Sequence, residues 1–152
     1  MKPQWRKDMV YEIVSKRRKK NPAPVLTSDD AYELIKRYQN AEKEQFVLIT
    51  LNGNHRPISV SIVSIGLVNK TIVHPREVFN RAIQDKASAI IICHNHPSGN
   101  LLPSQGDNEI TERICDAGEL IGIKVLDHII FSENGYASLR KDGYFKTKEK
   151  NL

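Results

Sequence analysis

Long apolar runs are what this sequence most plainly lacks. None approaches the roughly 18–20 residues that a spanning helix requires, so no transmembrane segment is expected. The first eight residues, Met-Lys-Pro-Gln-Trp-Arg-Lys-Asp, contain no apolar stretch, so no secretory signal is expected either. Cysteine is scarce: Cys93 and Cys115 are the only two. Two thiols make no disulfide framework, and they read as reduced core residues of a cytoplasmic protein. Internal repeats and low-complexity segments are absent as well. What remains is ordinary globular material: 152 residues, 39% hydrophobic and 27% charged, enough for one domain with a real core and too apolar for wholesale disorder. The basic excess is local. Lys16, Arg17, Arg18, Lys19 and Lys20 equal the whole formal charge of +5, so the remaining sequence is neutral and carries no broad basic face.

Residues 1–24 read as a strand over 9–15, rich in β-branched and aromatic side chains, followed by the basic run and a linker broken by Pro22 and Pro24. A helix competes for the first segment, because Trp5, Met9 and Ile13 recur at helical spacing. The domain proper spans residues 25–145. Thr27-Ser28-Asp29-Asp30 predicts a capping box opening a helix to about Gln39, with Tyr32, Leu34, Ile35 and Tyr38 apolar. Residues 46–51 form a strand running into Asn52-Gly53-Asn54, a hairpin signal. The return strand is 58–68 with Gly66 as a bulge or bend, and a short strand follows over 71–73. Pro75 opens a helix with Val78, Phe79, Ala82 and Ile83 inward, and residues 87–93 read as a strand covered on both faces. A helix over about 105–120 buries Ile110, Ile114, Ala117 and Ile121, with Gly122 near its C-cap. Strands over 125–131 and 136–139 flank the turn Glu133-Asn134-Gly135, and residues 146–152 form a polar, frayed tail. The expected class is mixed α/β, a central sheet with about three helices.

One loop carries the chemistry. His94 and His96 stand two residues apart where the apolar strand ends. In extended chain both rings project to one face, roughly 6.5–7 Å apart at the backbone, so two nitrogens can reach one ion. Asp107, on the first turn of the next helix, can fold back and add a carboxylate. Two His, one Asp and a water make the open four-coordinate set of a catalytic zinc site, which makes Zn2+ the expected cofactor. Simpler roles weigh against this. A lone buried His is usually a hydrogen-bonded core residue, and Ser104-x-x-Asp107 is by itself a helix N-cap signature. An aspartate bound to metal is expected to close that cap only in part. Strand alternation turns Cys93 away from both imidazoles, into the core.

His94-x-His96, seven residues, Ser104, two residues and Asp107 reproduce H-x-H-x7-S-x-x-D without a gap, and in this the sequence resembles the JAB/JAMM (MPN-type) metalloprotease superfamily. Thr71-Ile72-Val73-His74-Pro75-Arg76-Glu77-Val78-Phe79, His94-Asn95-His96-Pro97-Ser98-Gly99 and Val125-Leu126-Asp127-His128-Ile129-Ile130 resemble its RadC-like branch. The likeness covers about residues 25–145. It implies a curved mixed sheet packed between about three helices, of the JAB/MPN (cytidine-deaminase-like) kind, and a zinc hydrolase acting on a peptide or isopeptide bond. It also implies His94, His96 and Asp107 as metal ligands and a glutamate general base before the first core strand. Glu42 and Glu44 flank that point, and Glu44-Gln45-Phe46 matches the pattern. Ser104 is then the oxyanion donor. No insertion resembles the ubiquitin-gripping loops of eukaryotic relatives.

RadC-like proteins are commonly labelled DNA repair proteins, which supplies the rival expectation: a DNA-associated protein whose zinc site is structural or vestigial. Nucleic-acid contact would then rest on Lys16, Arg17, Arg18, Lys19 and Lys20, a run without interleaved aromatics for base stacking. A nuclease is a second rival, disfavoured because a site with Asp107 and Glu44 beside one zinc suits a phosphodiester poorly. The expected partner is a peptide or protein substrate, with no membrane.

Overall fold

The computed structural model describes residues 22–66 and 73–145. The expected strand over 9–15, the basic run 16–20, positions 71 and 72 of the expected short strand, and the tail from 146 lie outside them. The described chain is a mixed α/β domain. Helix α1 (Ser28–Ile35) is followed by β1 (Gln45–Leu51), β2 (Pro57–Ile65), α2 (Pro75–Gln84), β3 (Ala89–Asn95), α3 (Gln105–Ile121), β4 (Lys124–Ser132) and β5 (Gly135–Ser138). The sheet order is β2-β1-β3-β4-β5. Only β3 and β4 run parallel, and the pairs on either side of them are antiparallel. A parallel pair needs a crossover, and α3 is that crossover.

Local chemistry explains where the elements start and stop. The Thr27 hydroxyl accepts from the Asp30 amide while the Asp30 carboxylate accepts from Thr27 N–H, closing the expected capping box. The α-helix is shorter than expected, tightening to a 3-10 turn over Lys36–Tyr38. Asn52 organises the hairpin with its side chain, whose oxygen accepts from the amides of Asn54 and Arg56, and His55 takes a left-handed φ of 57°. The return strand ends at Ile65, with Gly66 bending at φ 114°, and positions 67 and 68 of its expected range lie outside the described residues. Val73 is buried in a bend, outside any strand. His74 caps α2 through Nδ1, Pro75 takes the first turn, and Gly122 ends α3 at φ 86°.

Two apolar clusters lie on opposite faces of the sheet. Phe46, Leu48, Ile90 and Ile92 pack with Val78 and Phe79 of α2 and Ile110 and Ile114 of α3. Val47, Ile49, Ile91 and Cys93 pack with Ala31 and Ile35 of α1. Strand β3 is buried at every position, as its unbroken apolar run implies. The helical stripes are narrower than expected: Ile83 is 58% exposed and Ile121 46%, each in the last turn of its helix. Cys115 is only half-buried against the first cluster, while Cys93 is wholly enclosed.

At Gly118 helix α3 leaves no room for a side chain. A Cβ there would lie 2.5 Å from the Ile123 carbonyl oxygen and 3.1 Å from the Phe79 ring. Gly118→Ala should therefore destabilise the domain by about 1–3 kcal/mol despite alanine's better helix propensity, read as a lower urea midpoint at constant slope.

Candidate metal centre

Alternation along β3 sorts the three residues that end it. Ile90, Ile92 and His94 share the α3 face, and Ile91, Cys93 and Asn95 share the α1 face. His96 follows His94 onto the α3 side, where the two Nε2 atoms stand 2.8 Å apart. Asp107, buried on the first turn of α3, closes the triangle with Oδ1 3.1 Å from His94 Nε2 and Oδ2 3.2 Å from His96 Nε2. These three residues form a group that could hold a metal ion. Ligands on a tetrahedral zinc, at about 2.0–2.1 Å, lie about 3.3–3.4 Å from one another, so the triangle needs to open only by a few tenths of an ångström. His96 Nδ1 lies 2.6 Å from the Asn100 carbonyl, which can only accept, so Nδ1 carries the proton and a neutral ring turns its Nε2 lone pair to the centre.

The helix cap and the metal site share one carboxylate. Ser104 Oγ accepts from the Asp107 amide at 3.0 Å, and Asp107 Oδ2 accepts from Ser104 N–H at 2.8 Å, a complete capping box. The same carboxylate that closes the cap faces both imidazoles. A carboxylate has about four lone-pair sites, and the cap occupies one while Oδ1 stays directed at His94. The cap orients the ligand.

Burial and charge then pull in opposite directions. Burial would raise the Asp107 carboxyl, but the His94 and His96 imidazoles against it and the Ser104 amide outweigh burial and hold it far below the ordinary carboxylate range. Burial would likewise lower His96, yet its bonds to Asp107 and Asn100 and the charges of Asp107 and Glu44 leave it raised. Cys93, enclosed on the far face, is pushed well above the usual thiol range by burial, and this unreactive thiol lies where alternation predicts.

Glu44 is half-buried immediately before β1, and its charge is felt at His96. Glu42 is exposed. Ser104 is exposed at the start of α3, beside Asp107. Sequence reasoning missed three contributors. Asn95, between the two histidines but on the opposite face, is fully buried; its Oδ1 accepts from Gln45 N–H at 2.6 Å, and its Nδ2 donates to the Lys43 and Ala41 carbonyls. It clamps the segment that carries Glu44. The signal was present: a polar residue at an inward strand position needs partners. His128, fully buried on β4, places Nε2 2.7 Å from His94 Nδ1, and Thr111 Oγ1 lies 2.5 Å from His128 Nδ1. Burial first, then the neighbouring His94, holds the His128 imidazole well below its ordinary pKa, so it is neutral.

Residues 25–144 match the family model described as RadC-like JAB domain. The chain is 44% identical over 122 residues to a UPF0758 protein of Desulforudis audaxviator, covering 80% of this chain and 53% of that one. It is 46% identical over 112 residues to a UPF0758 protein of Caldanaerobacter subterraneus, covering 74% and 48%, and 49% identical over 106 residues to one of Finegoldia magna, covering 70% and 48%. The chain thus spans about half the length of the curated relatives it matches.

Replacing Asn95 by alanine strands the Gln45 amide and the Lys43 carbonyl. Asn95→Ala should cost about 1–3 kcal/mol per buried group left unpaired, measured by denaturant unfolding. Faster amide exchange at Gln45 than in the parent would locate the loss in the segment before β1.

Proposed function

The chain belongs to the RadC-like JAB domain family, and from that premise we propose that it is a zinc-dependent hydrolase of peptide or isopeptide bonds. The observation that carries the proposal is the convergence of two imidazole Nε2 atoms and one carboxylate within 3.2 Å of each other at a strand end. Two nitrogens and one oxygen suit zinc, whereas magnesium and calcium take oxygen sets. Three protein ligands leave a tetrahedral ion one open position, the arrangement of catalytic sites rather than closed structural ones. Glu44, half-buried before β1 and with its charge felt at His96, supports the reading of a proton acceptor near the centre.

When bound, zinc would supply a Lewis acid and lower the pKa of a coordinated water to about 7. His94, His96 and Asp107 would hold it. Glu44 would take a proton from the attacking water and return it to the leaving amine. Ser104 caps α3 with an oxygen lone pair, so its hydroxyl proton remains to be donated to a developing oxyanion. No described helix is long and apolar enough to cross a membrane. A cytoplasmic setting fits two cysteines outside any disulfide.

Purified protein supplied with zinc should retain one ion per chain, and His94→Ala, His96→Ala or Asp107→Ala should abolish retention. Glu44→Gln keeps size and hydrogen bonding but cannot accept the proton. It should keep zinc and fold while losing turnover of a cleaved peptide library by roughly 10²–10⁴-fold. Ser104→Ala should keep zinc, lose on the order of 10²–10³ in turnover, and weaken the helix cap by about 1 kcal/mol. Parent protein that takes up no zinc, or a Glu44→Gln variant as fast as its parent, defeats the proposal.

Zinc affinity should also depend on pH with a definite sign. His96 must be neutral to bind, and its raised proton affinity means protons compete above the ordinary imidazole range. Affinity should therefore climb with pH through and beyond that range, then level off once His96 is deprotonated, as chelator competition across a pH series will report.

A further inference from the structure

Two residues behind the triangle, Thr111 and His128, join His94 and Asp107 in a closed chain of short contacts. Thr111 Oγ1 lies 2.7 Å from the backbone carbonyl of Asp107, one helical turn earlier, and 2.5 Å from His128 Nδ1. His128 Nε2 lies 2.7 Å from His94 Nδ1, and His94 Nε2 faces Asp107 Oδ1 at 3.1 Å. His94 and His128 are wholly enclosed, and Thr111 is 3% exposed, so water does not satisfy these atoms.

One placement of the protons satisfies the three contacts behind the triangle and leaves the fourth, His94 Nε2 against Asp107 Oδ1, as two lone pairs facing, the place a cation takes. A carbonyl oxygen can only accept, so the single hydroxyl proton of Thr111 goes to Asp107 O; any other choice sets two oxygens with lone pairs against each other at 2.7 Å. Thr111 Oγ1 is then an acceptor toward His128, whose Nδ1 must carry its proton. His128 is wholly enclosed with no carboxylate at either nitrogen, so it keeps a single proton and presents a lone pair at Nε2, which requires a proton on His94 Nδ1. The Nε2 lone pair of His94 is thereby directed at the centre. One backbone carbonyl sets the tautomer of a ring three hydrogen bonds away, and that carbonyl belongs to Asp107, itself a member of the triangle.

We infer that His128 and Thr111 are positioning residues: they hold His94 in the tautomer that binds a metal through Nε2, and they tie β3, β4 and α3 together at the site. The inference rests on the reading of the triangle as a metal centre. Outer partners of ligating histidines typically change metal affinity by about 10–100-fold when removed. The pair is distinct from the ligands because neither residue has an atom in the triangle.

The test uses the whole chain with two readouts, one of which needs no metal. His128→Leu keeps the apolar volume and removes both nitrogens. His128→Gln restores an amide oxygen that can accept from His94 Nδ1–H, and Thr111→Val removes the acceptor for His128. Zinc affinity, by chelator competition, should fall about 10–100-fold in His128→Leu, fall in the same direction in Thr111→Val, and recover substantially in His128→Gln. In metal-free protein, long-range 15N NMR should report His94 protonated at Nδ1 in the parent and at Nε2 in His128→Leu. A parent that binds no zinc overturns the metal reading, while the NMR readout still judges the chain. A parent that binds zinc, with His128→Leu equal in affinity and His94 unchanged in tautomer, overturns the inference. Should His128→Leu fail to fold, Thr111→Val with parental affinity and an unchanged His94 tautomer overturns it equally.

Discussion

Everything at the site depends on β3 being unable to slip. The strand is buried at all seven positions and paired on both edges, to β1 antiparallel and to β4 parallel. A shift of one residue would carry Ile90 and Ile92 out of one core, Ile91 and Cys93 out of the other, and both neighbours' hydrogen bonds out of register. That rigidity is what allows two residues only two positions apart to meet at 2.8 Å through their ring nitrogens. It also places Asn95 reliably on the opposite face, where it holds the segment leading to β1.

The second constraint is that one side chain serves two structures. Asp107 closes the cap of α3 and completes the triangle, so the helix cannot rotate at its first turn without moving the ligand. Phe46, register partner of His94 on β1, stacks over that ring at 6.3 Å and meets His128 edge-on at 6.0 Å. This apolar wall keeps water from the back of the histidines and strengthens every polar contact among them. Ser104, by contrast, is exposed, and Glu44 is half-buried.

Much of this was legible because it is written in local spacing. The apolar run of β3 announced a doubly covered strand, alternation turned His94 and His96 one way and Cys93 the other, and Ser104 and Asp107 announced a capped helix. Element ends were less legible. The first helix tightens at Lys36, because packing against the sheet, not propensity, decides where regular hydrogen bonding ends.

His128 shows why the rest was hidden. From Val125, simple alternation puts His128 on the opposite side of β4. The pairing of β3 with β4 skips Leu126, so that Ile90 faces Val125 but Ile91 faces Asp127, and this shift returns His128 to the α3 face beside His94. Asn95 was likewise assigned no partner, since its three acceptors and donors lie about fifty positions earlier in the chain. The sequence by itself determined the class of fold, the faces of β3 and the residues able to ligate a metal, since each follows from periods of two and 3.6 along the backbone. Only the tertiary structure decided which nitrogen each histidine offers and what holds it there, because that depends on contacts between segments that no local period relates.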